Sequence, residues 1–169
     1  LSCPQGWQVE AAARAIKNGW PLEKILTHLQ EIGDKAFGVF TLNSLKYLIH
    51  GGRISHLKGL VASLLNIKPI ITVDRESGKY RTEGQEVTLK RAMNRIVDFI
   101  ESVYPAGSEL RVQPLHGKNL ESVDYLVELI QSRCKCHFEP VTPVAPVLGA
   151  HTGPSLVGLA FAPVDIFST

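Results

Sequence analysis

The first fifty residues carry two helical periods in succession but only one strand-like run, and that imbalance limits the folds open to the chain. Val9, Ala13, Ile16 and Trp20 recur at steps of four, three and four, and "NGWP" at 18–21 breaks the pattern. Leu22, Ile25, Leu26, Leu29 and Ile32 continue the period to Gly33, a position suited to a C-cap. The spacing predicts helices over 9–20 and 22–33. "AFGVFTL" (36–42) is a short apolar run of β-rich composition, and Asn43 or Ser44 can cap a brief helix through "LKYLIH" before Gly51 and Gly52. A single strand cannot bury the apolar faces of its helices. Residues 1–50 therefore read as the end of an α/β first domain whose sheet lies mostly upstream. The start at Leu1 rather than Met agrees with a missing upstream segment.

After the glycine break, "LKGLVASLLN" (57–66) supports an apolar helix, and 67–87 reads as two strands joined across Glu76, Ser77 and Gly78. Pro69 cannot donate to a ladder and marks an edge or a strand start. Thr88 can cap a long helix with Leu89, Ala92, Ile96, Ile100 and Val103 on one face, ending at Pro105. A strand at 109–115, an amphipathic helix at 119–133 with Val123, Leu126, Val127 and Ile130 inward, and a strand at 136–143 follow. Two more strands are expected at 144–149 and 156–162. Residues 51–169 thus read as a second, α+β domain with a mixed or antiparallel sheet and helices on one face.

With 169 residues, 44% hydrophobic and 20% charged, the chain can build a substantial core. Its formal charge of +2 comes from interspersed Lys, Arg, Asp and Glu. No basic face is evident, which argues against a nucleic-acid partner. Cys3, Cys134 and Cys136 are odd in number, and Cys-Lys-Cys is too tight for an ordinary disulfide framework or a zinc knuckle; reduced thiols in a cytoplasmic protein are expected. No stretch reaches a membrane span, and the histidines show no metal-ligand spacing. Neither a metal nor a cofactor is expected.

Two motifs carry chemistry. In "HGGRIS" (50–55) the glycines let the backbone turn and approach a ligand, and the planar fork of Arg53 can hold a carboxylate or phosphate through two hydrogen bonds. In "GAHTGP" (149–154) a loop can place the His151 imidazole and the Thr152 hydroxyl on one anionic group. Each also has an ordinary reading, a helix C-cap followed by a surface arginine and a turn with an incidental histidine. The serines lack a nucleophile-elbow pattern, and "GKN" at 117–119 lacks the rest of a phosphate loop.

"LKYLIHGGRIS" (45–55), "LLNIKPIITVDRESGKYR" (64–81) and "VLGAHTGPSLVGLAF" (147–161) together resemble the DegV family of bacterial fatty-acid-binding proteins. "SCPQGWQV" (2–9) is similar to that family's serine-and-glycine loop ahead of a helix. Pro4 and Ser155 stand where the family tends to have glycine. The resemblance covers essentially the whole chain, but the family's usual chain is markedly longer, with the absent part before Leu1. It implies a carrier that holds one long-chain fatty acid between two domains, 1–50 being the end of the first and 51–169 the second. In FakB-like members a separate fatty acid kinase subunit phosphorylates the ligand for phospholipid synthesis, so the chain itself needs no complete active site. Carried over by motif, the fatty-acid-binding residues are Arg53, His151, Gly52, Ile54 and Thr152, without catalytic residues. A small-molecule hydrolase or transferase using Arg53 and His151 is the alternative.

Overall fold

In a computed structural model that describes residues 3–57 and 66–168, the two opening helices find their sheet downstream. Helix α1 (Cys3–Lys17) and helix α2 (Leu22–Lys35) lead into strand β1 (Phe37–Thr41) and the short helix α3 (Lys46–His50). The helix expected over 57–66 falls largely outside the described residues. Strands β2 (Lys68–Val73) and β3 (Tyr80–Glu86) form the expected hairpin. Its turn is held by the Asp74 carboxylate, which accepts hydrogen bonds from the Ser77 amide and hydroxyl. Helix α4 (Leu89–Val103), strand β4 (Glu109–His116), helix α5 (Leu120–Gln131) and strands β5 (Lys135–Phe138) and β6 (Thr142–Pro143) follow. Helix α6 (Pro146–Thr152) and strand β7 (Val157–Pro163) complete the order.

These strands make one mixed seven-stranded sheet in the order β3-β2-β1-β7-β4-β5, with β6 also paired to β4. β1 is antiparallel to both β2 and β7, β7 is antiparallel to β4, and β5 and β6 run parallel to β4. The sheet therefore crosses the division expected at residue 50. β1 lies before that position and both of its partners lie after it, which is how a lone strand escapes the imbalance of the first fifty residues.

Side chains alternate across a strand, so the two faces build separate cores. Phe161 of β7 joins Val39, Val112, the α4 residues Ile96 and Ile100, and the α5 residues Leu126 and Ile130 in the main core. Both helices bury the faces expected from their spacing, and the Thr88 hydroxyl caps α4 by accepting from the Arg91 amide at 3.3 Å. Ala160 and Ala162, neighbours of Phe161, point the other way and pack under Trp7, Ala11 and Ile32 of the α1–α2 layer. Leu42, Leu48, Ile71 and Tyr80 form a third cluster beneath α3.

Two sequence expectations need correction. In α1 the buried face is Trp7, Ala11 and Ala15, whereas Val9 is 67% and Ile16 65% exposed. Trp7 and Ala11 of that face pack with the small residues Ala160 and Ala162, a close fit that the bulkier Val9–Ile16 face does not offer. The strand expected at 144–149 is instead the start of α6. Pro146 stands at its first turn, where a missing N–H costs nothing, and Gly153 at its end takes φ 80.

Candidate functional site

The second face of the sheet is covered at its two ends, by α1 and α2 on one side and by α3 and α6 on the other. Between them lies a cavity of about 400 Å³. Gly38, Phe40 and Leu115 contribute to its floor, Pro4 and Gln8 come from α1, and Leu148 from α6. Tyr80 lines the end nearest α3, where Phe40 packs edge-on against its ring at a centroid distance of 5.6 Å. Residues from both sides of position 50 thus build one cavity.

Asp34, Asp74 and Arg75 line the cavity where β1 begins, and Asp74 follows Val73, the cross-strand partner of Tyr80. Arg75 is already engaged: its Nη2 donates to the Ala36 carbonyl at 3.1 Å and its guanidinium lies 3.8 Å over the Phe37 ring. Partial burial pulls its pKa below the ordinary arginine value. The Asp74 carboxyl is held below the usual range by its hydrogen bonds from Ser77.

The two sequence motifs meet at Gly51. α3 ends there, and Gly52 takes φ 72, a left-handed conformation that favours glycine. The exposed Arg53 then opens a 3-10 turn (Arg53–His56), and its Nη1 donates to the Gly51 carbonyl at 2.6 Å. His151 approaches the same glycine from α6, so closely that a Cβ on Gly51 would lie 2.3 Å from the imidazole Nδ1. The second glycine contact is reciprocal. Tyr47 of α3 lies against Gly153 at the end of α6, where an added Cβ would be 2.3 Å from Cδ2 of the ring. Two rings packed on two glycines join α3 to α6 and bring Arg53 and His151 to one corner.

His151 lies in the last turn of α6, where the sequence suggested a loop. Its Nδ1 is buried and finds no hydrogen-bond partner among the described residues. Arg53 uses one of its five donors locally, leaving others for an anion. Ile54 packs half-buried against the cluster under α3. Thr152 is buried, and its hydroxyl donates to the Leu148 carbonyl at 2.9 Å, tying down the turn that carries His151 rather than facing outward.

None of Arg53, His151, Gly52, Ile54 and Thr152 lines the cavity itself. Two residues connect the corner to it. Leu148 lies one helical turn before Thr152 and lines the cavity wall. Tyr80 lines the cavity and belongs to the cluster against which Ile54, the neighbour of Arg53, packs; burial raises its phenol pKa, and the Arg53 charge acts in the opposite sense. The arrangement offers an apolar groove with a cationic, imidazole-bearing corner beside one end. Sequence reasoning missed Tyr47, Gly38, Tyr80 and Arg75. The repeated pairing of an aromatic ring with a distant glycine is visible only when α3 and α6 are packed together.

Among the described residues no helix is long and apolar enough to cross a membrane, and no cluster of three or more His, Cys, Asp or Glu side chains is placed to hold a metal ion.

Comparison with known proteins gives a consistent answer. A DegV domain-containing protein of Deinococcus radiodurans is 32% identical over 163 residues, covering 96% of this chain and 57% of that protein. Another from Clostridium perfringens is 33% identical over 164 residues, covering 95% of this chain and 56% of the relative. The chain thus spans little more than half the length of these relatives. Among solved structures, a DegV family protein from Thermus thermophilus described for fatty acid binding superposes with a TM-score of 0.85 at 25% identity, over 96% of this chain and 58% of that one. The Bacillus subtilis DegV, described as a fatty acid binding protein, gives a TM-score of 0.77 at 26% identity over 95% and 56%. The family described as "Uncharacterised protein, DegV family" matches residues 1–164. This chain belongs to the DegV family.

Proposed function

We propose that this chain binds a long-chain fatty acid, its tail in the cavity on the second face of the sheet and its carboxylate at Arg53 and His151. The observation that carries this reading is the position of the Arg53–His151 corner beside the Tyr80–Leu148 end of an apolar groove. A cavity of about 400 Å³ falls within the roughly 300–1,000 Å³ of small-molecule sites. Fatty acid binding by the Thermus thermophilus and Bacillus subtilis relatives supports the ligand class. Residues 1–50 and 51–169 are the two halves between which the ligand lies, since both line the groove. Gly52 and Ile54 hold the turn of Arg53, and Thr152 anchors the turn of His151. The exposure of Arg53 suits presentation of the carboxylate to a second protein, a fatty acid kinase subunit in the FakB-like case, with acyl phosphate made there for phospholipid synthesis.

A second reading has its own observation. Arg75, unlike Arg53, lines the cavity directly, so a reversed ligand would set its carboxylate at the Arg75 end. Calorimetric titration of Arg53→Ala, His151→Ala and Arg75→Ala with a fatty acid and its methyl ester decides between them. For Arg53→Ala the expected loss is about 1.5–3 kcal/mol, roughly 10- to 150-fold, for the acid only. Equal losses for acid and ester would make Arg53 structural. An acid-selective loss confined to Arg75→Ala would reverse the ligand, and turnover of a small substrate without any partner would favour a hydrolase or transferase.

A further inference from the structure

We propose that Gly38 is the residue that sets how long a chain the groove accepts, an inference that rests on the fatty-acid reading above. Gly38 lies inside a central strand, where glycine is the less stable choice because it packs nothing and loses the most backbone freedom on folding. The fold gives two usual reasons for tolerating it, and neither applies. Its φ lies outside the left-handed region, and an added Cβ would meet nothing nearer than Pro4 Cγ at 4.0 Å, an ordinary contact. Gly158 on the neighbouring β7 makes the contrast plain. A Cβ there would lie 2.4 Å from the Val39 carbonyl and 2.5 Å from Phe40 Cβ, so that glycine is a steric requirement of the sheet.

What Gly38 leaves open is the cavity floor. Its backbone is otherwise fixed, paired with Ala160 and accepting a hydrogen bond from the Thr72 hydroxyl at 2.8 Å. Along β1, Phe40 belongs to the cluster beneath α3, near Arg53, while Ala36 belongs to the α1–α2 core. Gly38 is therefore farther from the carboxylate corner than Phe40, by about 7 Å along the strand. A chain entering from the end beside α3 crosses Phe40 first and reaches Gly38 only if it is long enough. A side chain at this position closes the far part of the groove and leaves the near part untouched.

The test uses the full chain with straight-chain acids from octanoic to stearic acid, comparing wild type, Gly38→Ala and Gly38→Val. Gly38→Ala is expected to raise the thermal midpoint by about 1–4 °C without ligand, because the site has room and the unfolded chain loses freedom. Gly38→Val is expected to weaken the longest acids about 5- to 150-fold and leave the shortest within twofold. A lowered midpoint in Gly38→Ala, or a folded Gly38→Val with the wild-type length profile, overturns the role of Gly38 while leaving the carrier reading intact. A wild-type chain that binds no acid of the series overturns both.

Discussion

Arg111 shows how much one side chain can fasten when it is placed between layers. Its Nε donates to Glu139 and its Nη2 to Glu10, each at 2.8 Å, while the guanidinium lies 5.0 Å from the Trp7 ring centroid and 4.7 Å from that of Phe167. It is 16% exposed, so these contacts are partly shielded from water. Arg111→Ala leaves Glu139 without this cation and Glu10 with Arg14 alone, and is expected to cost about 1.5–3 kcal/mol. Arg111→Lys should recover only part of this, because an ammonium cannot bridge both carboxylates in one plane or stack on the rings. Urea unfolding with an unchanged slope measures it, and a loss below about 0.5 kcal/mol would place Arg111 among ordinary surface residues. Cys136 makes a different kind of prediction. Burial, with Cys134 adding to it, pushes its thiol up to about 12. The folded state then holds that proton more tightly than the unfolded chain, so this contribution is complete below about pH 9 and falls as pH rises toward 12. Urea midpoints between pH 8 and pH 10 should fall more steeply in wild type than in Cys136→Ala, and identical slopes would remove the thiol as a cause.

At the scale of elements, the buried face of α1 is the sharpest test of the packing. Trp7 is 3% exposed, so Trp7→Ala is expected to cost about 3–5 kcal/mol, whereas Val9→Lys and Ile16→Lys should stay within about 0.5 kcal/mol of wild type. Comparable losses at all three positions, read from thermal or urea unfolding, would restore the face suggested by spacing alone. The same helix explains where sequence reading works and where it stops. α4 and α5 were legible because each has one apolar period, and α4 also has a capping threonine. α1 carries two apolar periods on different faces, and only the small residues of β7 decide between them. The apolar residues of α6 alone read as a strand, but Pro146 and Gly153 mark the ends of a short helix.

At the scale of the whole molecule, β1 could not reveal its partners from sequence, since both come from beyond residue 50. Arg53 and His151 were legible as motifs, but their convergence on Gly51 depends on α3 packing against α6. The groove was not legible at all, because its floor and walls come from separate elements. Val9, Ile16, Leu22 and Leu26 remain exposed on α1 and α2, so this chain is expected to self-associate. Sedimentation should depend on concentration and lose that dependence in a Val9→Lys, Ile16→Lys double variant; a sharp monomer at all concentrations would count against it. The central claim concerns direction, the carboxylate at the Arg53–His151 corner and the tail on Gly38. Paramagnetic broadening of backbone amide signals by fatty acids spin-labelled near the carboxylate or near the methyl end measures it most directly. The first label should broaden residues 51–53 and 148–153, and the second residues 33–38. The reverse order would set the carboxylate at Arg75 and contradict the assignment.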